Sequence, residues 1–422
     1  MIEINQPASA DPFAYRPRVI DSEISELLQT LPAISIEGPR AVGKTRTAQR
    51  LANTVHNLDD PDTLERAQRN PGMLSEGDEP ILIDEWQRLP AAWDVVRRCV
   101  DEEFRAGRFV LTGSALPNLL PTHSGAGRIV TLRMWTTSLA ERWSGARVSL
   151  GALLTGQRPE VSGTTDRTWP DYAAEIVAGG FPGWRSVTGR AADLLVDGYL
   201  HRIVEHDFPQ GGHSVRRPAT LRRWLAAYAA AVSTTASYEA IRDAATAGEN
   251  DKPSKSTTMG YREVLEHMWI AEPVPAWTPA ANRLSRLKRS PKHQMADTSL
   301  VARLLNVRAD TLTGAGLAGQ MFESLVARDL RVYAQPADAR VHHMRTWNDD
   351  REVDLIVEHA NGIVAVEVKA AARVDRRDTR HLRWLADRLG PAMLDAAVVY
   401  TGANAYRDDD GIAIVPAALL GP

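Results

Sequence analysis

Gly38-Pro39-Arg40-Ala41-Val42-Gly43-Lys44-Thr45 has the spacing G-x-x-x-x-G-K-[ST]. Such a loop wraps backbone N–H groups around phosphate oxygens, reaches the β- and γ-phosphates with its lysine, and offers a hydroxyl to Mg²⁺. An apolar run, Ala33–Glu37, leads in, and Thr45–Ala52 leaves with helical character, so an anion would meet a helix N-terminus. Lysine is scarce in this chain: of 50 Lys and Arg residues only six are lysine, at positions 44, 252, 255, 288, 292 and 369. A lysine kept where arginine is the rule calls for a compact ammonium charge, and 44 and 369 fall inside motifs that need one.

A second apolar run, Pro80-Ile81-Leu82-Ile83-Asp84-Glu85, ends in two carboxylates. Asp84 is expected to hold the Mg²⁺ water shell and Glu85 to activate a hydrolytic water. A third run, Phe109–Gly113, ends in hydroxyls, with Ser114 placed to sense the γ-phosphate or position water. Arg128, in Gly125-Ala126-Gly127-Arg128, is a candidate arginine finger, in cis or from a neighbour; the competing reading is an ordinary salt-bridge arginine.

The elements that must carry these residues alternate short apolar runs with helical stretches over residues 1–150, the pattern of a parallel α/β sheet. Gly151–Thr168, rich in Gly, Ser and Thr, is expected to be a linker. Residues 168–308 form a mostly helical middle, interrupted at Ala245–Lys255 by a loop expected to be mobile, and 314–422 a second α/β unit. In the middle, Leu221–Ala231, Tyr238–Ala245 and Ser256–Met268 are helical stretches, the last with Tyr261, Val264, Leu265 and Met268 on one buried face. A hydroxyl-rich start with Lys255, Ser256, Thr257 and Thr258, then Arg283, Arg286, Lys288, Arg289 and Lys292, fits a helix–turn–helix with a wing. The competing reading is a helical connector with solvated charges.

In the last unit, Glu352–Glu358 and Ile363–Lys369 alternate around Asn361-Gly362, a strong hairpin signal. A two-residue turn there sets Asp354 opposite Lys369, with Glu367 two residues along on the same side. Glu323, on the helix expected over Gly316–Leu330, lies off its apolar face. Two or three carboxylates with an ammonium suit metal-assisted phosphodiester cleavage. The competing reading is a solvated hairpin with a cross-strand ion pair. His342-His343 reads as a surface pair, and the eleven tryptophans mostly as core.

The N-terminal motifs, with Leu58-Asp59-Asp60-Pro61, Ile83-Asp84-Glu85-Trp86-Gln87-Arg88-Leu89-Pro90, Leu111-Thr112-Gly113-Ser114 and Gly179-Gly180-Phe181-Pro182, resemble a bacterial and archaeal family of AAA-like P-loop ATPases with a C-terminal domain of unknown function. The resemblance covers nearly the whole chain, including the helix ending at Asp207; Trp86 stands where the family usually has an aliphatic residue. It implies ATP and Mg²⁺ as cofactors, a winged-helix-like middle, and a part for Gln87 in organising the nucleotide site. Asp354…Glu367-x-Lys369 with Glu323 resembles the PD-(D/E)XK nuclease superfamily.

Composition bounds these readings. With 422 residues, 44% hydrophobic and 24% charged, the chain is an ordinary globular protein of two or three domains. A net charge of −3 means that any nucleic-acid contact must come from a local patch. The single cysteine, Cys99, excludes an internal disulfide framework and a multi-cysteine metal site. The N-terminus lacks a signal-peptide pattern and no apolar run nears the roughly 18 residues of a membrane span, so a cytoplasmic protein without membrane contact is expected. The combined expectation is an ATP-hydrolysing, DNA-associated protein with a nuclease-like C-terminal domain. Its alternative is a nucleotide-gated switch that binds a protein partner through an inert C-terminal domain; a homo-oligomer or a protein partner is open on either reading.

Overall fold

The computed structural model describes residues 15–113, 125–210, 218–246, 252–277, 290–346 and 351–422. Five parallel strands form the first sheet: β1 (Ala33–Glu37), β2 (Thr54–Asn57), β3 (Ile81–Asp84), β4 (Phe109–Gly113) and β5 (Ile129–Arg133), in the order 2-3-4-1-5. β3 and β4 are buried throughout and β1 nearly so, which is why they read as continuous apolar runs. β2 and β5 escape such a reading because each mixes polar and half-exposed positions into a short strand. All five strands run the same way, so their C-terminal ends, with Glu37, Asp84 and Gly113, share one edge.

The C-terminal sheet has seven strands. They are β7 (Gly163–Thr164), β8 (Arg340–Arg345), β9 (Glu352–His359), β10 (Gly362–Lys369), β11 (Met393–Tyr400), β12 (Asn404–Arg407) and β13 (Ala413–Pro416), ordered 7-12-13-11-10-9-8. Two further short strands, β6 (Val148–Ser149) and β14 (Leu420–Gly421), pair with each other. The stretch 151–168 therefore departs from the expected free linker: Leu150–Leu153 is helical, and Gly163–Thr164 extends the edge of the C-terminal sheet through β12. The helices Ala318–Ala334 and Arg380–Leu389 both pack on this sheet. The first belongs with Val364 and Val366 in one apolar cluster, the second with Ile363 and Ala365 in another.

The helices Pro218–Ala230, Tyr238–Ala244 and Lys255–His267 lie near their expected places, and Tyr261, Val264 and Leu265 are buried as their spacing predicts. Antiparallel bridges Ala271–Met295 and Val274–Lys292 follow the third helix. The expected mobile loop has its centre, 247–251, outside the described residues. Ile34 and Ile36 of the first sheet, Trp224 and Leu300 of the middle, and Leu325 and Val364 near the end all belong to one apolar cluster. Among the described residues no helix is long and apolar enough to cross a membrane.

A buried ionic knot ties the same three stretches. Asp297 accepts hydrogen bonds from Thr136 Oγ1 (2.8 Å), the Gly180 N–H (2.8 Å) and Ser299 Oγ (2.6 Å), and pairs with Arg328 at 3.2 Å. Arg328 also grips Asp329 (2.6 Å), whose other oxygen accepts the Leu139 N–H. Gly179 must be glycine here: its φ is 68°, and a Cβ would lie 1.9 Å from Asp297 Oδ1.

Candidate active site

The phosphate loop turns through two left-handed residues, Ala41 (φ 65°) and Gly43 (φ 104°), which curl successive N–H groups inward. Lys44 is 5% exposed, and its ammonium donates to the carbonyls of Gly38 (3.0 Å) and Pro39 (2.8 Å). Burial pushes it down to about 8, against the opposing pull of Glu85. Thr45 Oγ1 donates to Asp84 Oδ1 at 2.7 Å, so the loop hydroxyl and the β3 carboxylate sit together as hard oxygen donors fit for Mg²⁺.

Because β4 lies between β1 and β3, Thr112 also reaches Asp84 and donates to the same oxygen. Thr112 is thus a hydroxyl at this strand end; Ser114, the expected one, lies outside the described residues. Glu85 holds φ 56°, a costly conformation for a glutamate that persists only where its surroundings enforce it. Its carboxylate accepts a hydrogen bond from the Gln87 amide, which gives Gln87 a positioning contact. Trp86 packs its ring against Trp93 at a tilt of 45°, centroids 4.8 Å apart.

Arg128 does not join this group. It precedes β5, whose first residue Ile129 pairs with Ala33 at the entry end of β1, the edge away from the phosphate loop. Its guanidinium holds Asp101 at 2.7 Å. A cis finger is therefore corrected to a surface ion pair, because parallel strands place their two ends on opposite edges.

Other arginines at the loop come from later in the chain. A cavity of about 1150 Å³ is lined by Lys44, Thr45, Asp84 and Glu85 on one side and by Arg142, Arg185 and Arg202 among others. Gly179–Pro182 brings Pro182 and Arg185 to its rim, and Arg185 is oriented by Glu175 at 2.6 Å. Asp207, at the end of the π-helical turn Ile203–Asp207, pairs with Arg40 of the loop at 3.1 Å. Burial pushes the Asp207 carboxyl up, and Arg40 pulls against it. β5 adds Arg133, beside Glu37 and paired to Glu272 of the middle. The resembled motifs at 179–182 and 207 were the only sequence signal for this second wall; Arg142 and Arg202 carried none.

In the C-terminal unit, β9 and β10 pair with Gly362 opposite His359 and Val366 opposite Leu355. The register differs from the expected one by two residues, with Ala360-Asn361 as the turn. Gly362 is held at the strand start, where a Cβ would lie 2.4 Å from the Ala392 carbonyl. A two-residue shift keeps the faces, so one step further along sets Glu367 opposite Asp354 instead of Lys369. Lys369 pairs with Glu367 at 3.3 Å, and the Val368 N–H donates to Asp354 at 2.9 Å.

Lys292 occupies the middle of this group. Its ammonium lies 2.8 Å from Glu323, 3.1 Å from Glu352 and 3.4 Å from Asp354. It is 1% exposed and so is not available to a phosphate backbone, contrary to its expected place in a basic wing. Lys252 and Lys255 are tied to Asp243 and Glu239, and Arg283, Arg286, Lys288 and Arg289 lie outside the described residues. Burial, with Asp354 second, pushes Glu323 up to about 8. Burial and Asp354 likewise raise Glu367. Asp354 is held low despite its burial, chiefly by Lys292. His342 and His343 are buried, not on the surface: the chain at Ala276 bridges to His343, and burial foremost pushes that imidazole down to about 3.

The parallel sheet, its phosphate loop and the acid pair at one edge define a P-loop nucleotide-binding domain. Residues 31–143 match the AAA domain family, 170–311 a domain of unknown function designated DUF8612, and 318–420 another designated DUF4143. Uncharacterized proteins of Mycobacterium tuberculosis and Mycobacterium bovis are each 28% identical over 410 residues, covering 94% of this chain and 82% of the relative. A Walker-type ATPase of Pyrococcus abyssi aligns in structure at 13% identity and a TM-score of 0.41, covering 70% of this chain and 99% of that one.

Proposed function

We propose that this chain is a Mg²⁺-dependent ATP hydrolase whose turnover is coupled to nucleic acid. The observation that carries the ATPase reading is the convergence of Lys44, Thr45, Asp84 and the Gln87-held Glu85 on one cavity. Lys44 binds the β/γ oxygens, Thr45 and Asp84 hold Mg²⁺, and Glu85 takes the proton from the attacking water. Mg²⁺ supplies charge neutralisation when bound. Arg185 and Arg142, which line the same cavity and share Glu175, are the cations placed to stabilise negative charge that grows in the transition state.

The chain divides, on this reading, into an AAA-like unit (1–150), a winged-helix-like middle (168–308) and a PD-(D/E)XK-like unit (314–422). The three helices followed by antiparallel bridges support the second, and the helix, hairpin and helix around Glu323, Asp354 and Glu367 support the third. Nucleic-acid contact is supported by exposed arginines 373, 376, 377 and 380, which lead into the helix Arg380–Leu389 just after Lys369. The exposed start of the helix Lys255–His267, with Ser256 and Thr257, offers hydroxyls to phosphate.

The test is the ATPase rate with and without duplex DNA at about 50 and 200 mM salt, where phosphate contacts weaken steeply. Several-fold stimulation is expected at the lower salt, reduced at the higher and lost when Arg373, Arg376 and Arg377 are all replaced by Ala. A rate indifferent to DNA at both concentrations removes the coupling. The second reading, a nucleotide-gated switch with an inert C-terminal domain, is favoured by one observation: an internal ammonium fills the acid cluster.

A further inference from the structure

We propose that Trp86 is a positioning residue for ATP hydrolysis: its indole N–H selects the orientation in which the Gln87 amide holds Glu85. The proposal rests on the reading of Glu85 as the group that takes the proton from water. Trp86 is 3% exposed and belongs to the apolar cluster of Phe109 and Leu111, while Glu85 and Gln87 line the nucleotide cavity. An effect of Trp86 on turnover must therefore pass through a neighbour.

A glutamine amide has two ends of similar shape, and only one of them serves a carboxylate. The –NH₂ end donates to it, whereas the oxygen end would set two acceptors face to face. Here Gln87 Nε2 donates to Glu85. The other end of the amide shows what fixes that choice. Gln87 Oε1 is buried and meets no hydrogen-bond donor among the described residues. Trp86 Nε1, which can only donate, is buried and meets no acceptor among them. Both crowd one point: a Cβ on Gly113 would lie 2.6 Å from Gln87 Oε1 and 2.6 Å from Trp86 Nε1. A buried donor and a buried acceptor each cost free energy while unmet, and a modest rotation of either side chain joins this pair. The reversed amide would set its –NH₂ against the indole N–H and its oxygen against Glu85, so it is wrong at both ends.

The chain builds this arrangement locally. Left-handed Glu85 (φ 56°) turns the end of β3 into the single 3₁₀ turn Trp86–Arg88. The Arg88 N–H closes that turn on the Glu85 carbonyl at 3.0 Å, and the Leu89 N–H on the Trp86 carbonyl at 3.0 Å. The turn packs on β4, and glycine at 113 leaves the room that both side chains occupy. Trp93 braces the indole.

The experiment is a double-mutant cycle in steady-state ATP hydrolysis on the full chain: unmodified, Trp86→Phe, Gln87→Leu and both together, with Glu85→Gln as reference. Phe keeps an aromatic ring against Trp93 and removes the donor. Trp86→Phe should lower kcat about threefold to tenfold, the worth of one neutral hydrogen bond, with KM and ATP affinity within twofold. In the Gln87→Leu background the same change should cost less than twofold, because the indole then has no amide to orient. A kcat loss of equal size in both backgrounds overturns the proposal, as does a loss confined to KM. Turnover that survives Glu85→Gln removes the base and the proposal with it; turnover that needs Glu85 but ignores Trp86→Phe removes the proposal alone. Should Trp86→Phe not fold, ¹⁵N–¹H spectra of the eleven indoles read the same contact with Trp86 intact. Gln87→Leu should move one indole proton upfield, the direction of a lost acceptor, and a spectrum in which none moves overturns the proposal.

Discussion

Glu85→Gln is expected to lower ATP turnover by about 10²–10⁴-fold, the usual contribution of a positioned general base, while nucleotide affinity stays within a few-fold. The amide keeps the shape of the side chain and can still reach Gln87, but it cannot accept a proton. Its left-handed backbone, set by the turn after β3, is unaffected by the change. Neither Lys44 nor the Thr45–Asp84 pair depends on Glu85 for a hydrogen bond, so the phosphate and Mg²⁺ contacts remain. Phosphate release and equilibrium binding of a fluorescent ATP analogue, measured on the same preparation, separate the two effects. Turnover within threefold of the unmodified chain would mean that another group takes the proton.

The largest effect on stability is expected from Asp297→Asn. This carboxylate is fully buried and serves Arg328, Thr136, Ser299 and the Gly180 N–H together. Arg328 keeps Asp329 but loses this second carboxylate, so the cost approaches, without exceeding, that of a fully broken buried pair, about 3–5 kcal/mol. The effect depends on pH in a definite direction. Burial works against the Asp297 charge, but Arg328 and its hydrogen bonds outweigh it and hold the carboxyl below its ordinary range. A depressed carboxyl contributes its stability above the unfolded value and loses it as pH falls through the folded one. Urea unfolding should therefore show the full deficit of Asp297→Asn at pH 7 and a shrinking one below about pH 4. A deficit that does not change with pH would mean that the charge of Asp297 is not what stabilises the fold.

The phosphate loop and the acid pair were legible because each is a contiguous string whose chemistry depends on neighbours in sequence. Strand register was less so. Asn361-Gly362 looks like a turn, but Gly362 answers a tertiary demand, the close approach of Ala392, and the turn moves back by one residue. Arg128 lies in a suggestive string at the wrong end of its strand, and nothing local says which end of β5 meets the loop. Lys292 shows the limit most clearly. The scarcity of lysine marks it as chosen for a reason, yet its basic sequence neighbours suggest solvent and phosphate. Its partners, Glu323, Glu352 and Asp354, are 31 to 62 residues away, and only the packed fold brings them to it. The buried His342-His343 pair is similar, because the covering segment is distant in sequence.

The central claim is that the loop at 38–45 holds the phosphates of ATP, and it is tested most directly by equilibrium binding of ATP with Mg²⁺ to the unmodified chain and to Lys44→Ala. Lys44 is the one ammonium in the loop, and the loop's other cation, Arg40, is engaged by Asp207. Micromolar binding to the unmodified chain and a loss of at least 100-fold in Lys44→Ala, with unchanged circular dichroism, is the predicted result. Equal affinity in both proteins would contradict the account.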